Sequence, residues 1–286
     1  MSGRTMLVVG LVVWVVGMPL AHGVVPWAIS LLTTRYGWID GRPGTLNLLG
    51  LVPVVVAIEP DEGWLLVEDV AAPLIGETPI ADRQAGLVAG AQVLVALQRA
   101  AARNVQPFAE VGCSVRPLAE LPDALAGVLG PDAVVVDASW SPERRARVVD
   151  VARVAVERVA RLGFPTTVVH GDFHPGNVTL ADGRATIIDW SDAAISDPSI
   201  DLVTWLSWSR DRPDDERVAI DAWIDAWSAD IDPVAVRAAI DAILVVGAAY
   251  QVVSYDGILR GLEPATRYTM SGGARSFLEK VEAHPI

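Results

Sequence analysis

The sequence predicts an α+β chain that is mostly helical, with one short hairpin past its midpoint and a hydrophobic helical segment at its N-terminus. Three observations predict this. Charge and apolarity change abruptly near residue 57; apolar residues recur at helical spacing beyond it; and a Gly-Asn turn sequence leads into two β-rich runs joined by Asp182-Gly183.

A chain of 286 residues can bury a sizeable core, and 52% of it is hydrophobic. Residues 1–57 hold Arg4, Arg35 and Arg42 against Asp40 alone, so the net charge of −13 arises wholly beyond them. Such an acidic balance argues against nucleic acid as a partner, because neutralising phosphates needs a basic face. It suits a cationic substrate, and equally a plain solvated surface. Cys113 is the single cysteine, which excludes a disulfide framework and a cysteine-based metal cluster. Lys280 is the single lysine.

The first element is the uncharged run Thr5–Thr34, long enough to cross a bilayer and interrupted by Pro19, Gly23 and Pro26. A second uncharged run spans Pro43–Ile58, with Arg35 and Arg42 between the two. A signal peptide cut near Ala21 and a buried core helix are the competing readings. The preferred one is a membrane hairpin, with membrane association through residues 6–58. Trp64–Val67 then reads as a short buried strand, and residues 82–103 as a helix with Leu87, Ala91, Leu94, Val95 and Gln98 on one face.

Ser141-Pro142-Glu143 supplies an N-cap, a proline at the first helical position and an acid at the positive helix end, and Gly163 supplies the stop. Val178–Leu180 and Ala185–Asp189 flank the Asp182-Gly183 turn as a hairpin. Helices are expected near 213–229 and 233–254. Trp205, Trp208, Trp223 and Trp227 have helical spacing and read as core. Asp214-Asp215-Glu216 reads as a first helical turn, and Cys113 as packing.

The chemistry-bearing stretch is His170-Gly-Asp-Phe-His-Pro-Gly-Asn177, followed by Ile188-Asp189-Trp190 and Asp197-Pro-Ser-Ile-Asp201-Leu. Phosphoryl transfer from a nucleotide needs a carboxylate to orient and deprotonate the acceptor hydroxyl, and oxygen ligands for magnesium. Asp172 and Asn177 on one tight loop, with Asp189 after a hairpin, offer that spacing. A His170/Asp172/His174 metal-hydrolase site is the chemical rival, and such sites recruit more ligands of the same kind than this chain's four histidines supply.

This pattern resembles the aminoglycoside phosphotransferase and choline kinase-like families, from about residue 58 to the C-terminus. The resemblance implies a protein-kinase-like C-terminal lobe, a cytoplasmic catalytic unit, ATP and Mg2+ as cofactors, and a small-molecule hydroxyl compound as substrate. It implies Asp172 as catalytic base, His170 as orienting the loop, and Asn177 and Asp189 as magnesium ligands. His174, Asp197 and Asp201 would support the loop, and Glu68, Asp69 and Val70 would form the hinge that holds the adenine. The N-terminal stretch Val25-Pro-Trp27 to Leu51 resembles the opening hairpin of bacterial isoprenylcysteine-methyltransferase-like membrane proteins.

The sequence departs from the kinase-like pattern in one respect. Residues 1–57 stand where a nucleotide-gripping lobe belongs, and Lys280 lies too late in the chain to pair with the phosphates. The expected division is therefore a hydrophobic segment at 1–57 and a hinge and catalytic lobe at 58–286, with impaired activity. The alternative is a membrane-tethered pseudokinase or other non-catalytic module.

Overall fold

The computed structural model describes residues 52–53, 55–59, 64–67, 70, 72–110, 112–209 and 212–284. The expected helix at 6–32, the basic loop with Arg35 and Arg42, and Glu68 and Asp69 of the expected hinge lie outside the described residues.

Strands β1 (Val55–Glu59) and β2 (Trp64–Val67) pair antiparallel, with Glu59 opposite Trp64. The strand read at Trp64–Val67 is present. Its partner is a strand where the sequence shows only the end of an apolar run, because a row of valines carries no alternation to mark a strand. β1 thus straddles the division expected at residue 57.

Helix α1 (Ile80–Ala102) then crosses the whole core, burying Leu87, Ala91, Leu94, Val95 and Gln98. The weakly patterned region after it forms a short helix α2 (Gln106–Glu110), strand β3 (Ser114–Val115) and helix α3 (Leu121–Val128). Helix α4 (Pro142–Ala160) starts as its residues dictate: the Ser141 hydroxyl accepts the Arg144 N–H at 3.3 Å. Val148, Val151, Ala152, Ala155 and Val159 form its buried stripe.

Two small sheets carry the loops of interest. β4 (Thr167–Val169) pairs antiparallel with β7 (Ala194–Ser196), which pairs parallel with β3. β5 (Val178–Ala181) and β6 (Arg184–Ile187) form the expected hairpin, with Asp182 (φ 49°) and Gly183 (φ 75°) both left-handed as a two-residue turn requires. β6 ends at Ile187, two residues before the expected end at Asp189, which itself stands in the left-handed region at φ 58°.

The remaining chain is helical: α5 (Leu202–Trp205), α6 (Pro213–Trp227), α7 (Pro233–Ala238), α8 (Ile240–Gly261) and α9 (Tyr268–Glu282). The single helix expected at 233–254 is two, parted at Ala239 (φ −105°, ψ 8°) with no glycine or proline to announce the break, and the second runs on to Gly261. α1 and α8 are long and apolar enough to cross a membrane, yet half or more of each helix's most apolar stretch is buried inside the protein, as core helices are.

Trp205, Trp223 and Trp227 lie in the core as expected, with Phe164 5.5 Å and 5.4 Å from the last two. Trp208 does not. It is 43% exposed, because α5 has ended and the chain turns outward before α6. Asp215 also corrects the plain first-turn reading: it is buried, and accepts Arg83 Nε at 2.6 Å and Gln84 Nε2 at 3.0 Å from α1.

Candidate active site

The loop 170–177 leaves β4 and returns as β5. Its first two residues are fixed by one buried carboxylate. Asp201, fully buried at the end of the 3-10 turn Pro198–Asp201, accepts the N–H of His170 (3.0 Å), the N–H of Gly171 (2.9 Å) and Gln98 Nε2 (2.9 Å). Burial pushes its carboxyl up to about 7 against those three donors. Asp197 caps the same 3-10 turn through the Ser199 N–H at 2.9 Å; burial raises its pKa too.

Gly171 must be glycine. Its φ is 84°, and a Cβ there would lie 2.2 Å from the Asp192 carbonyl oxygen. Its own carbonyl accepts Gln251 Nε2 from α8. Both backbone groups of Gly171 are therefore bound, one to each side of the site.

His170 is fully buried. Its Nε2 donates to the Ile188 carbonyl at 2.9 Å, and Nδ1 accepts the Asp172 N–H at 3.3 Å, which fixes the neutral tautomer. Burial lowers its pKa, consistent with that state. The ring thus ties the 170–177 loop to the segment after β6.

The Asp172 side chain stands partly exposed beside these fixed groups. Burial alone would raise its carboxyl, but the hydrogen bond from the His174 ring outweighs that and holds it below the ordinary carboxylate range. His174 Nε2 lies 3.4 Å from Asp172 Oδ2, while its Nδ1 accepts the Gly176 N–H at 3.0 Å. The His174 ring stacks on Trp208, centroids 5.5 Å apart and planes 14° apart. That indole fits against Gly76 and Gly176 so closely that a Cβ at either would come within 3.0 Å of it.

Asn177 is buried and commits Nδ2 to the Asp172 carbonyl at 3.0 Å, which leaves Oδ1 as its remaining ligand atom. Its backbone carbonyl accepts the Ile188 N–H at 2.9 Å, so Asn177 and the Asp189 segment are neighbours. Asp189 is exposed, and its Oδ1 accepts the Ser191 hydroxyl at 2.8 Å. A left-handed aspartate costs on the order of 1 kcal/mol; the Ile188 bonds and Trp190 Nε1 on the Ile187 carbonyl (3.2 Å) hold it there.

Asp192 was not among the residues singled out by sequence. Asp192 is exposed at its edge, yet the protein crowded around its carboxyl, and then the carboxylates of Asp172 and Asp189, push it up to about 6. The three aspartates thus share one field. Gln98, Gln251 and Trp208 were also missed as site residues; the first two are buried amides inside apolar helical patterns, with no motif to mark them.

Among the described residues no three His, Cys, Asp or Glu side chains gather as a metal cage, which removes the His170/Asp172/His174 hydrolase reading. His170 and His174 have both ring nitrogens occupied by protein. An amide oxygen and a carboxylate are instead the hard, sparse donor set that magnesium takes together with nucleotide phosphates. Of the expected adenine hinge, only Val70 is described, half-buried after β2. Lys280 stands in the last turn of α9, over the Phe277 ring.

The sequence model of the phosphotransferase enzyme family matches residues 44–237. A glucosamine kinase of Streptacidiphilus jiangxiensis is 38% identical over 76 residues, 27% of this chain and only 16% of that protein. The fold is similar to that of a choline kinase from Streptococcus pneumoniae (15% identity, TM-score 0.56, 84% of this chain and 77% of that one). It is also similar to a choline/ethanolamine kinase family protein of Mesorhizobium loti (16%, 0.58, 84% and 76%). A third likeness is to an aminoglycoside phosphotransferase of Streptomyces rimosus in complex with ADP and streptomycin (18%, 0.50, 76% and 79%). These likenesses establish a kinase-like α+β fold.

Proposed function

Because this chain belongs to the phosphotransferase enzyme family, we propose that it moves the γ-phosphate of ATP onto a hydroxyl of a small molecule. The observation that carries the reading is the Asp172 carboxylate, held ionised on a loop whose Asn177 is hydrogen-bonded both to Asp172 and to the segment that bears Asp189. Asp172 orients the acceptor hydroxyl and takes its proton as that oxygen bonds to the phosphorus and the bond to ADP breaks. His170 and Asp201 act on the loop and touch no substrate. His174 sets the direction of the Asp172 carboxylate.

Asn177 Oδ1 and the Asp189 carboxylate would hold magnesium, which offsets phosphate charge when bound. Glu68, Asp69 and Val70 are assigned to the adenine. We read residues 58–286 as the catalytic unit, cytoplasmic, with β1 crossing its edge, and residues 6–58 as a membrane-associating segment. With Lys280 on α9, no lysine grips the phosphates, so turnover is slow.

Isothermal titration with ATP tests the assignment of ligands. Weak binding that strengthens with magnesium is expected, with the magnesium dependence lost in Asn177→Ala and Asp189→Ala. Magnesium dependence unchanged in both variants would remove them as ligands.

A further inference from the structure

Arg116 follows β3 and reaches across to α8. Its Nη1 donates to Ser254 Oγ at 2.7 Å, and its guanidinium lies over the Tyr250 ring, 5.3 Å from the centroid. Its backbone is pinned on both sides: the N–H donates to the Ile195 carbonyl (2.9 Å) and the carbonyl accepts Ser196 Oγ (2.7 Å). The guanidinium is half-buried and, among the described residues, has no carboxylate within ion-pair distance, although its charge reaches Asp192 and pulls that carboxyl down. Arginines withdrawn from water ordinarily face a carboxylate, whose geometry the guanidinium fork matches.

The place of this cation matters. Gln251, Ser254 and Tyr255 share one face of α8, three and four residues apart. Gln251 binds the Gly171 carbonyl beside Asp172, and Ser254 binds Arg116. Arg116 is therefore one helical turn from the contact that seats the loop. Tyr255, wedged so tightly against Gly273 of α9 that a Cβ there would lie 2.4 Å from its hydroxyl, closes the same face. The Tyr250 hydroxyl, 2% exposed beneath the guanidinium, feels the Arg116 charge directly.

We propose that Arg116 is the acceptor-specificity residue, binding the carboxylate of a hydroxyl compound whose hydroxyl reaches Asp172. Ser254 holds the guanidinium in place, and Tyr255 bounds the side nearest α9. This inference rests on the phosphotransfer reading for the identity of the ligand as an acceptor, but not for its binding.

The test is ligand-observed saturation-transfer NMR and titration of the full chain with two matched pairs, L-serine against ethanolamine and D-glucuronate against D-glucose. A charge-assisted bond of this kind predicts that the acid of at least one pair binds about tenfold or more tightly than its partner. Arg116→Gln should bring that pair within about twofold, and Arg116→Lys should keep part of the preference. Thermal unfolding of both variants checks that the fold is retained. Equal binding within both pairs, no binding by either acid, or an acid preference unchanged in Arg116→Gln would overturn the proposal. Binding of an acid without any phosphate transfer would leave the subsite standing and remove the phosphotransfer reading. Transfer to ethanolamine or glucose with no acid preference would do the reverse.

Discussion

Around the loop 170–177, carboxylate, amide and imidazole groups are buried and each faces a backbone N–H or C=O. Along the outer faces of α4 and α9 the charged pairs reach water: Arg153–Asp150 at 2.8 Å is exposed and Arg144–Glu282 at 2.6 Å half-exposed. The bond lengths are alike in the two regions, so length is no guide to importance. What differs is the alternative available on loss. At the rim, water replaces the partner; at the loop, the orphaned groups have none.

The strongest way to break this comparison is Asp201→Ala, which strands two backbone N–H groups and the Gln98 amide in the interior. We expect a loss of about 3–5 kcal/mol of unfolding free energy, read by urea titration, with the loop disordered. A loss no larger than that of a rim variant would end the distinction.

Asp201→Asn sharpens it through pH. The folded carboxyl titrates at about 7, above its ordinary value. The folded chain therefore holds a proton that the unfolded chain releases between those values. The stability that this proton confers is full below the ordinary carboxylate pKa and lost as pH rises through about 7. Urea titrations at pH 5 and pH 8 should show a smaller drop in Asp201→Asn than in the parent; an equal drop would place the titration elsewhere.

Smaller effects are expected outward. Arg144→Ala breaks a two-pronged bond to Glu282 and uncovers Trp140, whose ring lies 3.7 Å from the guanidinium carbon. Its thermal midpoint should fall, though less than that of Asp201→Ala. Arg153→Ala should change stability by no more than about 0.5 kcal/mol.

The same contrast explains what the sequence made legible. Groups that work through local spacing could be read: the Ser141 cap, the Asp182-Gly183 turn, the stripe of α4 and the loop residues Asp172 and Asn177. Groups that work across the fold could not. Gln98 looked like one more position on an apolar face, because its partner Asp201 lies 103 residues away. Gln251 has the same character, bonded 80 residues back to Gly171. Trp208 shared the spacing of three buried tryptophans, and only the end of α5 turns it out onto His174. Asp192 gains its character from Asp172 and Asp189, a field that no window of sequence displays.

We propose that the loop 170–177 transfers phosphate with Asp172 as its base. Initial rates of phosphate transfer from labelled ATP, with magnesium and a panel of aminoglycosides, choline, simple sugars and hydroxy acids, test it most directly. We expect slow transfer by the parent chain, reduced by about 10²–10⁴-fold in Asp172→Ala with the thermal midpoint unchanged. Transfer that survives Asp172→Ala undiminished, or none to any acceptor, would contradict it.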